Sequence, residues 1–141
     1  MDEDYRIVYV DQPDDAIWTA IGGGIKTFNE QQAGDDHAQR VCAILYGPNG
    51  RVAGGVIAEI YWDWLYINLI WIEEPLRKLG YGARLLAMAE DEARRRGATR
   101  AYLDTFSFQA PGFYQKQGYH VFGELPDFPA GHSRFFMTKS L

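Results

Sequence analysis

The run Arg77-Lys78-Leu79-Gly80-Tyr81-Gly82-Ala83 places two cations and two glycines between an apolar stretch and an amphipathic one. Glycines one residue apart at a strand-to-helix turn let the backbone bend tightly and approach a ligand closely. The first amides of a helix lack intrahelical acceptors and sit at the positive end of its dipole, so such a turn suits a phosphate. Arg77 and Lys78 would add cationic charge beside it. The same residues also fit a plain tight turn. Two other phosphate-binding patterns can be tested and both fail. The P-loop pattern G-x-x-x-x-G-K-[ST] is absent,. A dinucleotide fingerprint would need a third glycine where Leu85 stands, and the chain has too few alternating βα units for a doubly wound sheet, although Asp104 lies at a suitable distance,. Gly22-Gly23-Gly24 fails as well, because it follows a helical stripe and no strand leads into it.

The elements that must position this turn are read from periodicity. Tyr5–Val10 alternates and predicts a half-buried strand closed by Asp11-Gln12-Pro13,. Ile17, Ile21, Ile25 and Phe28 form a helical stripe, with Asp14 as N-cap; the glycine triple, at about 1 kcal/mol per glycine against alanine, predicts a break in that helix,. Val41–Tyr46 and Val52–Trp62 flank the hairpin turn Gly47-Pro48-Asn49-Gly50 and should pair antiparallel, with Trp64–Ile72 extending the meander,. Gly82, Leu86, Ala89 and Ala93 then mark a helical seam. Glu90/Arg94, Asp91/Arg95 and Glu92/Arg96 are acid-before-base pairs on its outer face, and Gly97 ends it,. Strands over 101–106, 119–122 and 133–138 and a short helix over 111–117 complete the order β-α-β-β-β-α-β-α-β-β.

Composition bounds what such a chain can do. At 141 residues it is expected to be one domain, and 47% hydrophobic residues supply a core, which excludes intrinsic disorder,. The net charge of -5 and the lack of a long Lys/Arg block argue against nucleic acid as a partner,. Cys42 stands alone, and His37 and His120 have no partners at metal-ligand spacing, so neither an internal disulfide nor a metal site is expected,. The acidic N-terminus and the absence of an 18-residue apolar run read as a soluble, cytoplasmic domain with no membrane partner,.

Arg77-x-x-Gly80-x-Gly82 after an apolar strand resembles the acetyl-CoA pyrophosphate motif [QR]-x-x-G-x-[GA] of the GNAT N-acetyltransferases. Ser107-Phe108-Gln109-Ala110-Pro111-Gly112-Phe113-Tyr114-Gln115-Lys116-Gln117-Gly118-Tyr119 is similar to the family's second hallmark, in which Asn-x-x-Ala leads to Phe-Tyr-x-x-x-Gly-Phe; Ser107 stands where the family often has Asn. The resemblance is sharp from Tyr66 to Phe122. It implies a single-domain α/β (α+β) fold over residues 1–141, with a central mixed, mostly antiparallel sheet flanked by helices. It also implies acetyl-CoA as co-substrate, with the main chain of Ile70, Trp71 and Ile72 beside the pantetheine arm. The pyrophosphate would lie on Arg77, Lys78, Leu79, Gly80, Tyr81, Gly82 and Ala83, with Arg84 nearby and Ser107 beside the CoA arm. Tyr114 takes the place of the family's general acid.

The reaction so implied is direct acetyl transfer to a primary amine of a small molecule or peptide in a ternary complex. A lysine-type amine has a pKa of about 10.4, so a base must take its proton at neutral pH. Glu59, Asp63 and Asp104 are the acidic candidates. Glu59 is preferred as the lone charge in Val56-Ile57-Ala58-Glu59-Ile60, although a solvated sheet face explains it equally. Tyr61, Trp62, Trp64, Tyr66, Trp71, Trp18, Phe28, Phe128 and Phe135 supply core and, in part, an acceptor cleft; with the acidic balance this favours a small cationic amine. Readings from other classes are a non-catalytic acyl-CoA binding or sensor module and a nucleotide-binding α/β domain. An exposed last strand would be a pairing edge and leaves a homodimer open.

Overall fold

A computed structural model describes residues 4–141, which fall into two compact units, residues 4–36 and His37–Leu141. In the first unit α1 spans Asp15–Ala33. Asp14 caps it as expected, its Oδ1 accepting from the Ile17 amide at 2.9 Å,. Gly34, at φ 82°, closes the other end by donating to the Glu30 carbonyl at 2.9 Å,. The helix runs unbroken through Gly22-Gly23-Gly24, which corrects the expected break: glycine weakens a helix but, unlike proline, neither removes a donor nor clashes with the preceding turn,. The strand expected over Tyr5–Val10 is also absent. Alternation sets which face a strand would bury, but only pairing with a neighbour makes it a strand, and this segment enters no ladder of the sheet,.

The second unit is built on a six-stranded sheet. Its elements are β1 (Gln39–Tyr46), β2 (Val52–Tyr61), β3 (Trp64–Ile72), α2 (Tyr81–Arg95), β4 (Arg100–Phe106), α3 (Pro111–Lys116), β5 (His120–Pro126) and β6 (Ser133–Ser140). The spatial order is β1-β2-β3-β4-β6-β5. Every neighbouring pair is antiparallel except β3 and β4, so the sheet is mixed and mostly antiparallel. The last strand, expected at an edge, lies inside the sheet between β4 and β5. Two parallel strands cannot be joined by a hairpin, and α2 provides the crossover.

Two irregularities set the outer half of β3 apart from a regular strand. Its ladder with β4 covers only Trp64–Arg100, Leu65–Ala101 and Tyr66–Tyr102. Beyond Tyr66 and Tyr102 the two strands run on without pairing to each other. In the β2–β3 ladder, Ile57 pairs with Leu69 and Ala58 with Ile67, so Asn68 is an extra residue, a β-bulge, where the β4 ladder has just ended,.

One face of the sheet forms the core. Val41, Ala43, Val56, Ala58, Ile60, Leu65 and Ile67 are buried with Leu85, Leu86, Ala89 and Ala93 of α2, close to the expected helical seam. Alternation then turns Glu59, Tyr61, Trp64, Tyr66, Tyr102 and Asp104 to the opposite face,. The ion pairs of α2 differ in part from expectation. Glu92–Arg96 forms at i,i+4, but Asp91 meets Arg94 and Glu92 meets Arg95 at i,i+3. Glu90 is only 4% exposed and turns inward, accepting from Lys139 Nζ at 2.9 and 3.0 Å and from the Tyr119 hydroxyl at 2.8 Å. Burial, aided by the Glu90 charge, pushes the Tyr119 phenol far above its ordinary value, so it serves as a donor. Removing one member of such a buried pair leaves the other charge uncompensated. Lys139→Met should therefore lower the unfolding free energy by about 3 kcal/mol in a urea titration, whereas Arg95→Met, which opens an exposed pair, should change it by less than about 1 kcal/mol.

Candidate active site

The glycine turn sits where β3 hands over to α2. After Ile72 the chain makes a single 3-10 turn, Glu74–Leu76. Arg77 Nε then donates to the Ile72 carbonyl at 2.8 Å, tying the end of the strand to the loop. Lys78 (φ 65°) and Gly80 (φ 89°) both adopt left-handed backbone, and at Gly80 that conformation favours glycine outright,. Gly80 is the N-cap of α2 and offers no side-chain cap. The first intrahelical bond that closes is Arg84 N–H to the Gly80 carbonyl, at 3.2 Å. The amides of Tyr81, Gly82 and Ala83 therefore stand at the helix start without intrahelical acceptors. Leu79 is exposed, and the Arg84 guanidinium packs 5.8 Å from the Tyr81 ring centroid. Gly82 has a separate steric role, since a Cβ there would lie 3.3 Å from Phe113 Cζ. The missing side chain is what lets α3 press an aromatic ring against the first turn of α2.

The second motif is held as tightly. The Ser107 amide donates to the Ser133 carbonyl at 2.8 Å, and its hydroxyl accepts from the Ser133 amide at 3.0 Å, fastening the end of β4 to the start of β6. Gln109 Oε1 accepts from the Phe106 amide at 2.9 Å and from the Thr105 hydroxyl at 3.2 Å, which closes the loop into α3. Tyr114 follows on α3, its ring edge-on to Phe113 and Tyr119 at centroid distances of 5.1 and 6.1 Å. Burial, with a smaller contribution from the Asp104 charge, pushes its phenol up to about 12. Tyr114 is thus a proton donor throughout the neutral range.

The face of the sheet away from α2 carries a polar and aromatic network that composition and spacing did not reveal. Asp104 Oδ1 accepts from Arg134 Nη2 at 2.7 Å and Nε at 3.0 Å, while Oδ2 accepts from the Tyr66 hydroxyl at 3.2 Å. The Tyr66 ring stacks on Tyr102 at 4.7 Å, and the Tyr102 and Tyr61 hydroxyls are hydrogen-bonded to each other. Burial comes first among the causes that raise both the Tyr66 and Tyr102 phenols; hydrogen bonding, to Asp104 and to Tyr61 respectively, adds to it. Arg134 lies 5.3 to 5.6 Å from the ring centroids of Phe106, Phe128 and Phe136. The signal for this cluster was the β4–β6 register, which sets Phe106 opposite Arg134 and Asp104 opposite Phe136; no local pattern encodes it. Of the expected acceptor-cleft aromatics, Phe128 encloses Arg134 and Phe135 packs on the core side. Glu59 is partly exposed and lies in register between Arg40 of β1 and Tyr66 of β3; its carboxylate makes no hydrogen bond or ion pair among the described residues. Its charge reaches Tyr102.

Among the described residues no group of three His, Cys, Asp or Glu side chains could hold a metal ion, and no helix is long and apolar enough to cross a membrane. An anion cradle that opens beside a strand whose outer half has lost its parallel neighbour is suited to a long, phosphate-bearing, amide-containing ligand, and coenzyme A is of that class.

The chain belongs to the Acetyltransferase (GNAT) family, whose profile matches residues 4–119. Blasticidin-S acetyltransferase of Streptomyces morookaense is 40% identical over 96 residues, which cover 67% of this chain and 71% of that protein. An acetyltransferase from Bacillus cereus has the same fold, with a TM-score of 0.86 and 31% identity over 95% of this chain and 98% of its own. A Bacillus anthracis protein assigned as a streptothricin acetyltransferase, solved with acetyl coenzyme A, shares the fold at TM-score 0.63 and 21% identity, covering 72% of this chain and 62% of its own. The protein is an acetyl-CoA-dependent N-acetyltransferase, and the element order and mixed sheet agree with that family. A branched side chain at 82 would have to displace the Phe113 ring that packs against the first turn of α2. Gly82→Val should weaken acetyl-CoA binding, measured by calorimetry, by about tenfold or more, equivalent to ~1.4 kcal/mol.

Proposed function

We propose that the enzyme transfers acetyl from acetyl-CoA to a primary amine of a small cationic molecule, by direct attack in a ternary complex. The observation that supports this reading most is the unpaired outer half of β3, which runs into the α2 cradle and leaves main-chain groups without a neighbouring strand on that side. In the proposed complex the main chain of Ile70, Trp71 and Ile72 hydrogen-bonds the pantetheine arm, and its amides polarise the thioester carbonyl. The amides from Lys78 to Ala83 receive the pyrophosphate, with the cationic charge of Arg77 and Lys78 beside it. The Ser107 hydroxyl is committed to Ser133, so any contribution from Ser107 is to hold the wall of the site in place. Acetyl-CoA supplies the activated acyl group. The chain supplies orientation, an oxyanion partner and the two proton transfers.

Tyr114 donates its proton to the departing thiolate. Because its phenol is held protonated to about pH 12, kcat should show no alkaline fall attributable to it below pH 10. The same raised value makes a statement about stability. The folded protein holds this proton more tightly than the unfolded chain, so the stabilisation is complete below the ordinary phenol pKa near 10 and is lost as pH rises from there towards 12,. Tyr114→Phe should lower kcat by about 10²–10³-fold while leaving acetyl-CoA affinity within about twofold. An unchanged kcat would assign the proton to water or to another residue.

Glu59 takes the ammonium proton. Its carboxylate makes no ion pair among the described residues, although Arg40 stands opposite it in the β1–β2 register, and it lies on the face that also carries the Tyr61–Tyr102 hydroxyl pair. Blasticidin S, streptothricin, spermidine and lysine form the acceptor panel, with release of CoA thiol as readout. Glu59→Gln should reduce kcat/KM by about 10²-fold at pH 7, and the deficit should shrink towards pH 10, where a substantial fraction of the amine is already neutral in solution. A deficit independent of pH would remove Glu59 from the role of base. Preference within the panel for anionic acceptors added as controls would overturn the cationic class.

A further inference from the structure

Asn68 stands out among the polar side chains of the second unit. Its Oδ1 is the one buried side-chain oxygen or nitrogen without a hydrogen-bond partner among the described residues. Buried acceptors in native proteins are nearly always satisfied, and leaving one bare costs stability. Such a group therefore calls for a partner that is not part of the protein, and because the oxygen is covered in the free enzyme, that partner meets it only when the Asn68 side chain turns outward. Its place in the fold suggests which one. Asn68 is the bulge residue of β3, two residues beyond Tyr66, the last residue paired with β4. It precedes Ile70, the innermost residue placed beside the pantetheine arm. At about 3.3 Å per residue the arm would follow β3 inward from Ile72, so Asn68 lies about 7 Å further on than Ile70, past the position of the thioester and towards the incoming acceptor.

We propose that the Asn68 side-chain carbonyl accepts a hydrogen bond from the attacking amine of the acceptor and so directs the amine lone pair at the acyl carbon. The assignment rests on the acetyl-transfer reading above and adds to it a binding residue for the acceptor. An amide oxygen suits this role better than a carboxylate. It orients an N–H without a negative charge that would hold the amine in its unreactive ammonium form. The bulge serves the same end, because an extra residue re-aims a side chain that regular alternation would have placed elsewhere.

An acceptor group that is bare in the free enzyme and satisfied in the complex makes function and stability pull in opposite directions. Asn68→Leu removes the polar atoms at nearly constant volume. Relative to wild type, the melting temperature of the ligand-free enzyme should rise by about 2–5 °C. Acetyl-CoA affinity by calorimetry should stay within about twofold. kcat/KM for the fastest acceptor of the panel above should fall by about ten- to a hundredfold. Asn68→Ala, which cannot overpack the bulge, should show the same kinetic loss without relying on the fit of leucine. An equal loss of acetyl-CoA affinity would place the oxygen on the pantetheine arm and overturn the proposal. So would unchanged kcat/KM, or a melting temperature that falls in both variants, which would show that the oxygen is already satisfied in the free protein. If wild-type enzyme binds acetyl-CoA but releases no thiol with any amine of the panel, the acetyl-transfer reading itself fails, and that is seen before any variant is compared.

Discussion

The parallel pairing of β3 with β4 is the constraint on which the rest of this structure depends. Antiparallel neighbours can be joined by a turn such as the one at Trp62–Asp63, where both residues have positive φ. Parallel neighbours need a crossover, and here α2 makes it, packing its Leu85, Leu86, Ala89 and Ala93 stripe onto the sheet. The crossover must begin where β3 ends, so the helix N-terminus and its unsatisfied amides are brought to the end of that strand. The pairing then stops after Tyr66 and Tyr102. A strand with an unpaired side and a helix start with unpaired donors thus lie next to each other because of one topological choice.

Much of that arrangement was legible in the chain, and the reasons are local. The glycine turn, the α2 seam, the Asp14 cap and the Trp64–Ile72 strand each depend on residues close in sequence, so spacing and residue type were enough to place them. The readings that failed depended on partners that spacing does not reveal. Tyr5–Val10 has the alternation of a strand but no ladder. The glycine triple looked like a break because its cost is local, whereas the helix is judged over its whole length, cap included. Glu90 looked like a surface acid because the helix wheel cannot show Lys139 and Tyr119 arriving from elements far along the chain. Asp104, Arg134 and Tyr66 meet only through the β3–β4 and β4–β6 registers, and no motif could have announced them.

The same contrast explains why the cofactor side of the site is readable and the acceptor side is not. Phosphate is recognised by backbone amides, and backbone geometry is written in glycines and helix starts. An acceptor is recognised by side chains that converge from several strands. Its proposed determinants are therefore single residues with unusual surroundings: a carboxylate without an ion pair at Glu59 and an oxygen without a donor at Asn68.

Charge is distributed by the same logic. The chain is acidic overall, at -5, yet Arg77, Lys78 and Arg84 fall within eight residues around the helix start. A net negative field would oppose the approach of an anionic cofactor, and at physiological ionic strength the field is screened over about 8 Å. Within that range the local cations and the free amides decide the potential; beyond it, the acidic remainder does. In the proposed complex a cationic amine approaching the face away from α2 would meet Glu59, whose carboxylate makes no ion pair among the described residues, and Asp104, whose charge is balanced by Arg134. On the proposed reading, one sheet serves ligands of opposite charge because the low-dielectric core keeps each set of charges facing its own solvent: Glu59 and Asp104 alternate with the buried residues Ala58, Ile60 and Leu103 that face α2.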